Sequence, residues 1–168
     1  MATSKAFVTN ESELKVNGEA GADHAWSMEG TETATAQCSI QIDLGARPAA
    51  YLISWNCEMA WQGTPTVGNT CDFYAAGAPD ATAANIDGDI GASDADLGTW
   101  VGAANTHYFG SVTVDTADTT DQISSGSFVW YGRYISLIGF NNGGTTLNAT
   151  DSVFEFYMTV RAIQGQAT

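Results

Sequence analysis

The sequence predicts an all-β fold: a single antiparallel β-sandwich, jelly-roll or immunoglobulin-like, with an extended N-terminal arm. Three observations predict it. Apolar and polar residues alternate with period two in several separate segments, the mark of strands with one dry and one wet face. No stretch keeps apolar residues at i, i+3, i+4 and i+7 over three turns, so helices are not expected. Turns rich in Gly, Asn and Asp join the alternating segments directly, which excludes the strand–helix–strand plan of parallel sheets. The 168 residues, 44% of them hydrophobic, suffice for one domain with a substantial core.

Residues 1–36 are polar and acidic, with Trp26 and Met28 the large apolar residues after Val16. They are expected to form a polar arm or loosely packed strands. Phe7, Val8, Leu14, Val16, Trp26 and Met28 are too sparse for a core of their own and are expected to anchor this arm on a neighbouring subunit. The sandwich is assigned to residues 37–168. In Gln37 to Leu44, Cys38, Ile40, Ile42 and Leu44 alternate with polar residues, which makes a half-buried strand. From Tyr51 to Trp61, Tyr51, Ile53, Trp55, Cys57, Met59 and Trp61 share one face of a long strand. That parity places Trp55 and Trp61 in the core.

Gly63, Pro65 and Gly68 mark a turn, and Cys71 to Tyr74 reads as a short strand returning from it. Residues 77–106, rich in Ala, Gly and Asp, are expected to be a long acidic surface loop. His107 to Asp115 alternates again through Tyr108, Val112 and Val114. Phe128 to Phe140 is apolar on both faces, as in a central strand bent at Gly132. Asn141-Asn142-Gly143-Gly144 predicts a tight turn, because Asn and Gly accept positive φ. Val153 to Ile163 closes the series, with Phe154, Phe156, Met158, Val160 and Ala162 facing inward.

Charge narrows the function. Nineteen acids against five bases give a net charge of −14, which argues against nucleic acid or an anionic membrane as partner. No apolar run approaches ~18 residues. The opening residues lack the apolar stretch of a secretory signal, so no signal peptide is expected and synthesis is assigned to the cytoplasm. Three cysteines at irregular spacing are not a disulfide framework. Cys38, Cys57 and Cys71 are expected to be buried thiols, with a Cys57–Cys71 bridge across a hairpin as the alternative.

Catalytic motifs are missing: the chain has no G-x-S-x-G, H-E-x-x-H or P-loop. His24 and His107 have no partner that spacing can assign. No catalytic residue, cofactor or metal ligand is therefore assigned, and the protein is not expected to be an enzyme. Asn85 to Asp96 places oxygen side chains at positions 1, 3, 5, 9 and 12 of a calcium-loop pattern. Ile90, however, stands where that loop needs Gly, and Asp96 replaces the bidentate Glu, so weak calcium binding in Asp87 to Asp96 is only the alternative to a solvated loop. Among the five Trp, Trp100 and Trp130 are the candidates for a surface platform that stacks on sugar rings. Arg47, Arg133 and Arg161 are few enough to be expected in specific ion pairs.

Three passages in combination carry a resemblance. They are Tyr51 to Trp61 followed by Cys71 to Tyr74, then Phe109 to Val114, then Tyr131 to Ala149. Their order, spanning roughly residues 50 to 164, resembles the small β-sandwich virion proteins of tailed bacteriophages. The resemblance implies a non-enzymatic structural role, a capsid decoration or cement protein on the outside of the head. The implied partners are the major capsid protein and further copies of this chain, and the implied location is the virion. It carries over no functional residue. A carbohydrate-binding, lectin-like module that takes a surface glycan, and a tail or baseplate component, are the alternatives.

Overall fold

The computed structural model describes residues 5–16, 22–45, 50–81, 94–100, 106–117, 121–149 and 154–166; for 5–12 and 164–166 it describes the backbone. Among the described residues ten strands form two antiparallel sheets: β1 (Lys5–Lys15), β2 (Thr35–Cys38), β3 (Ile42–Asp43), β4 (Ala50–Met59), β5 (Thr70–Ala78), β6 (Ala95–Gly98), β7 (His107–Thr113), β8 (Gln122–Trp130), β9 (Tyr134–Asn141) and β10 (Glu155–Gln166). One sheet runs β1-β10-β4-β8. The other runs β6-β2-β9-β5-β7, with β3 also on β9.

The pairings form a nested series. First strand pairs with last, β1 with β10; inside that, β2 and β3 pair with β9, β4 with β8, and β5 with β7. A long antiparallel ribbon has been rolled up, and β10–β4 and β9–β5 are the seams where the roll meets itself. That is the jelly-roll arrangement, one of the two sandwich types the sequence left open.

Period-two alternation sets the faces. Tyr51, Ile53, Trp55, Cys57 and Met59 of β4 point into the core, as do Phe156, Met158 and Val160 of β10. From the opposite sheet come Cys71, Phe73 and Ala75 of β5, with Ile135 and Leu137 of β9. Aromatic rings dominate the centre. Trp26 meets Phe73, Phe154 and Phe156 edge-on at 5.1–5.9 Å, and Trp55 stacks on Phe156 at 5.9 Å. Room for the Trp55 indole comes from two glycines, one in each sheet. A Cβ at Gly126, directly opposite Trp55, would lie 2.9 Å from the ring, and one at Gly110 of β7 would lie 2.3 Å from it.

Several expectations change. The described part of residues 1–36 follows the strand alternative rather than the arm: residues 5–15 are an edge strand, and Val16, Trp26 and Met28 are fully buried in this chain's own core. Those three side chains therefore cannot anchor on a neighbour. Trp26 also donates its indole N–H to the Gln37 carbonyl at 3.2 Å. The 77–106 loop shortens, because β5 runs to Ala78 and β6 interrupts the remainder. β4 and β5 are not a hairpin; they lie in different sheets, so Cys57 and Cys71 sit on opposite walls of the core as free thiols. Burial pushes both thiols well above their ordinary range. Phe128 to Phe140 is two strands, β8 and β9, joined by a corner at 131–133 that carries the chain between sheets. The Asn141–Gly144 turn likewise leads to the other sheet. Asn141 itself ends β9 and is buried.

Candidate functional site

The outer face of the six-stranded sheet holds a second hydrophobic cluster, separate from the core. Ala36, Cys38, Ala76 and Ile138 form its buried floor, with Tyr74, Trp100 and Phe140 half-buried above them. The cause lies in the sequence. β5 and β9 are apolar at both parities, so Tyr74, Ala76, Ile138 and Phe140 face away from the core yet are not polar.

The chain brings Trp100 onto this face by a sharp turn after β6. The Asp96 carboxylate accepts the Gly98 N–H at 2.7 Å, Gly98 takes a φ of +59°, and the Trp100 N–H returns to the Gly98 carbonyl at 2.8 Å. Asp94 ties the same segment down, accepting the Ser27 N–H at 3.0 Å and the Ser27 hydroxyl at 2.5 Å. The Trp100 indole then lies edge-on to Tyr74 at 5.0 Å and tilted to Phe140 at 6.4 Å, while Tyr74 meets Tyr108 at 5.5 Å. Tyr108, 52% exposed, is the open margin of the patch, and its hydroxyl donates to Ser111 Oγ. Burial, with Asp72 and Tyr108 nearby, raises the Tyr74 phenol above its ordinary value. Burial likewise raises the Cys38 thiol.

Trp130 is elsewhere. Its ring is half-buried against the main core, 6.5 Å from Phe128, and its indole N–H donates to the Tyr134 carbonyl at 3.3 Å. With His107, Val129, Tyr131 and Gly132 it lines an open cleft of about 220 Å³. Trp100 and Trp130 therefore belong to two different clusters and do not share a platform. Tyr74, Tyr108 and Phe140 complete the patch instead. The parity of Tyr74 and Phe140, opposite to that of the core residues Phe73 and Leu137, is the signal that could have found them.

Of the remaining sequence candidates, Asp87 and Asp89 lie outside the described residues, and Asp94 and Asp96 serve the hydrogen bonds above. His24 is half-buried, and its burial lowers its pKa against a weaker opposing pull from Asp23. His107 is exposed at the end of β7, its ring 5.9 Å from Phe128. Arg133 does form a specific ion pair, bidentate to Asp43 at 2.6 and 2.7 Å, and stacks over Tyr134 at 5.0 Å. Arg47 lies outside the described residues. On the outer face of the four-stranded sheet Glu58 stands directly opposite Glu155 and beside Asp121. Burial first, then these two carboxylates, raises the Glu58 pKa.

The fold and its surface define a jelly-roll domain with an open aromatic patch on its larger sheet. Comparison with protein-family models, curated proteins and solved structures finds no match to this chain.

Proposed function

We propose that this protein is a non-enzymatic structural component of a tailed-phage virion, a capsid decoration protein bound in many copies to the outside of the head. The sequence resemblance over residues 50 to 164 suggests this reading. The observation that carries it is the open aromatic patch of Tyr74, Trp100, Tyr108 and Phe140. An aromatic patch that is spread over a sheet rather than enclosed suits contact with another large surface, since rigid rings give much contact area at little entropic cost. The major capsid protein is the proposed partner, and further copies of this chain surround it. A charge of −14 keeps free copies apart before they assemble.

The test is to image the source particle and count copies. One or more copies per major capsid subunit, with binding to stripped heads lost in Trp100→Ala, is the expected result. A few copies confined to the tail would leave the tail or baseplate reading in its place. The same patch also motivates a second reading, a carbohydrate-binding module in which Trp100 and Tyr108 stack on sugar rings. Jelly rolls serve both capsid and lectin domains, so the fold does not choose between the two. Glycan-array hits abolished by Trp100→Ala, with no binding to heads, would select the sugar reading.

A further inference from the structure

Among the described residues the two-residue β3 leaves one side open, and four longer strands lie at sheet edges: β1 and β8 in one sheet, β6 and β7 in the other. An edge strand presents unpaired N–H and C=O groups and is a template for another strand unless something blunts it. Three of these four longer edge strands are blunted in the same way. Each holds one residue that its partner strand skips: Asn10 in β1, Leu97 in β6 and Phe109 in β7. β8 has no such bulge, and its nine residues pair with β4 in unbroken register.

Composition separates β8 from β1 and β6, while β7 (His107–Thr113) also lacks Asp, Glu, Lys, Arg and Pro and is set apart by its bulge at Phe109. β1 carries Lys5, Glu11, Glu13 and Lys15, and β6 carries Asp96, whereas Gln122–Trp130 contains no charged residue and no proline. In a chain of net charge −14 this is the kind of edge that two copies can bring together without opposing like charges. Its outward side chains are apolar at both ends. Ile123 is 66% exposed, Val129 40%, and Tyr131, just past the strand, 66%. Between them lie only Ser125 and Ser127 on that face.

We propose that β8 pairs antiparallel with β8 of a second copy across a two-fold axis at Gly126, joining the two four-stranded sheets into one. Such an axis is satisfied by a strand with a small centre and matching apolar ends. It sets Ile123 opposite Val129 twice, Ser125 opposite Ser127, and Asp121 beside Tyr131 rather than beside another acid. The acidic Glu58–Asp121 groups of the two copies then stand at opposite ends of the joined strands. This names the surface for the self-association in the proposed function, but it rests on the edge alone. The test uses free protein, so it fails or succeeds separately from the virion reading.

Sedimentation velocity of the full chain should show a monomer–dimer equilibrium. Raising NaCl from about 0.05 to about 0.5 M should favour the dimer, because screening weakens the repulsion between copies. Val129→Asp, on an exposed outward position, should weaken the dimer about tenfold or more while circular dichroism stays unchanged. As a measure that leaves the edge nearly intact, Ser125→Cys mixed with Ser127→Cys should oxidise to a cross-linked heterodimer. Ile123→Cys mixed with Ser125→Cys, which the register keeps apart, should not. A chain that stays monomeric throughout, as it would if the edge takes a strand from a different protein, overturns the proposal. So does a dimer indifferent to Val129→Asp, or cross-linking in the control pair alone.

Discussion

Asn141 shows how one side chain ties the end of a strand to three surrounding segments. It is fully buried, and its amide is saturated: Oδ1 accepts from the Trp61 indole and the Gly143 N–H, both at 3.0 Å, while Nδ2 donates to the Thr31 and Thr145 carbonyls, both at 2.9 Å. Asn141→Ala strips all four at once and leaves buried groups without partners. The expected loss is about 2–4 kcal/mol, read from urea unfolding of variant and wild type. In the sequence Asn141 looks like the first residue of an Asn-Asn-Gly-Gly turn, and the chain does turn there. The hub was illegible because two of its four partners come from residues 31 and 61, and no local pattern announces them. Parity was enough for Trp55 and Trp61, which are buried as their strand spacing predicts. It was not enough for Trp130, whose strand ends at a corner.

At the scale of elements, the strands that alternate cleanly were legible and those that do not were misread. β4 and β10 alternate large apolar with polar residues along their length. β8 hides its first half in Ser124-Ser125-Gly126-Ser127, where Trp55 and its neighbours fill the space that side chains would take, so only Phe128 onward looked like a strand. β1 reads only as an arm or loosely packed strands because its residues are mostly polar, although its register with β10 extends from Lys5 to Lys15. Deleting residues 1–20 should accordingly do more than trim an appendage. It exposes one side of β10 and removes the buried Val16, and it should lower the unfolding midpoint in denaturant sharply or abolish folding. A truncated chain as stable as the full one would show that β1 contributes nothing to the sheet.

The facing pair Glu58 and Glu155 sets a second expectation at this scale. The folded-state pKa of Glu58 is raised, so the stability tied to its protonated form is present below the ordinary value of 4.5 and is lost as pH rises through the raised value. Glu58→Gln should therefore stabilise the protein at pH 7. Solvent screening limits the gain to a few tenths of a kcal/mol, and it should vanish below about pH 4. Thermal melts of both proteins across pH 3 to 8, overlaid, check the sign.

Over the whole molecule the same imbalance of charge acts without any particular pair. Nineteen acids on one small domain repel one another, so added NaCl should raise the melting temperature by a few degrees between about 0.01 and 0.3 M. Asp43 opposes that trend weakly, since salt screens its exposed pair with Arg133. The rolled ribbon has one more consequence, and it concerns synthesis. β10 lies between β1 and β4, so the four-stranded sheet has a gap at its centre until β10 has left the ribosome. β1 must wait for β10, far along the chain, and the aromatic core stays open to other chains until β10 emerges. A ribosome stalled with β10 still inside it should hold a nascent chain that proteases cut freely, and emergence of β10 should close it.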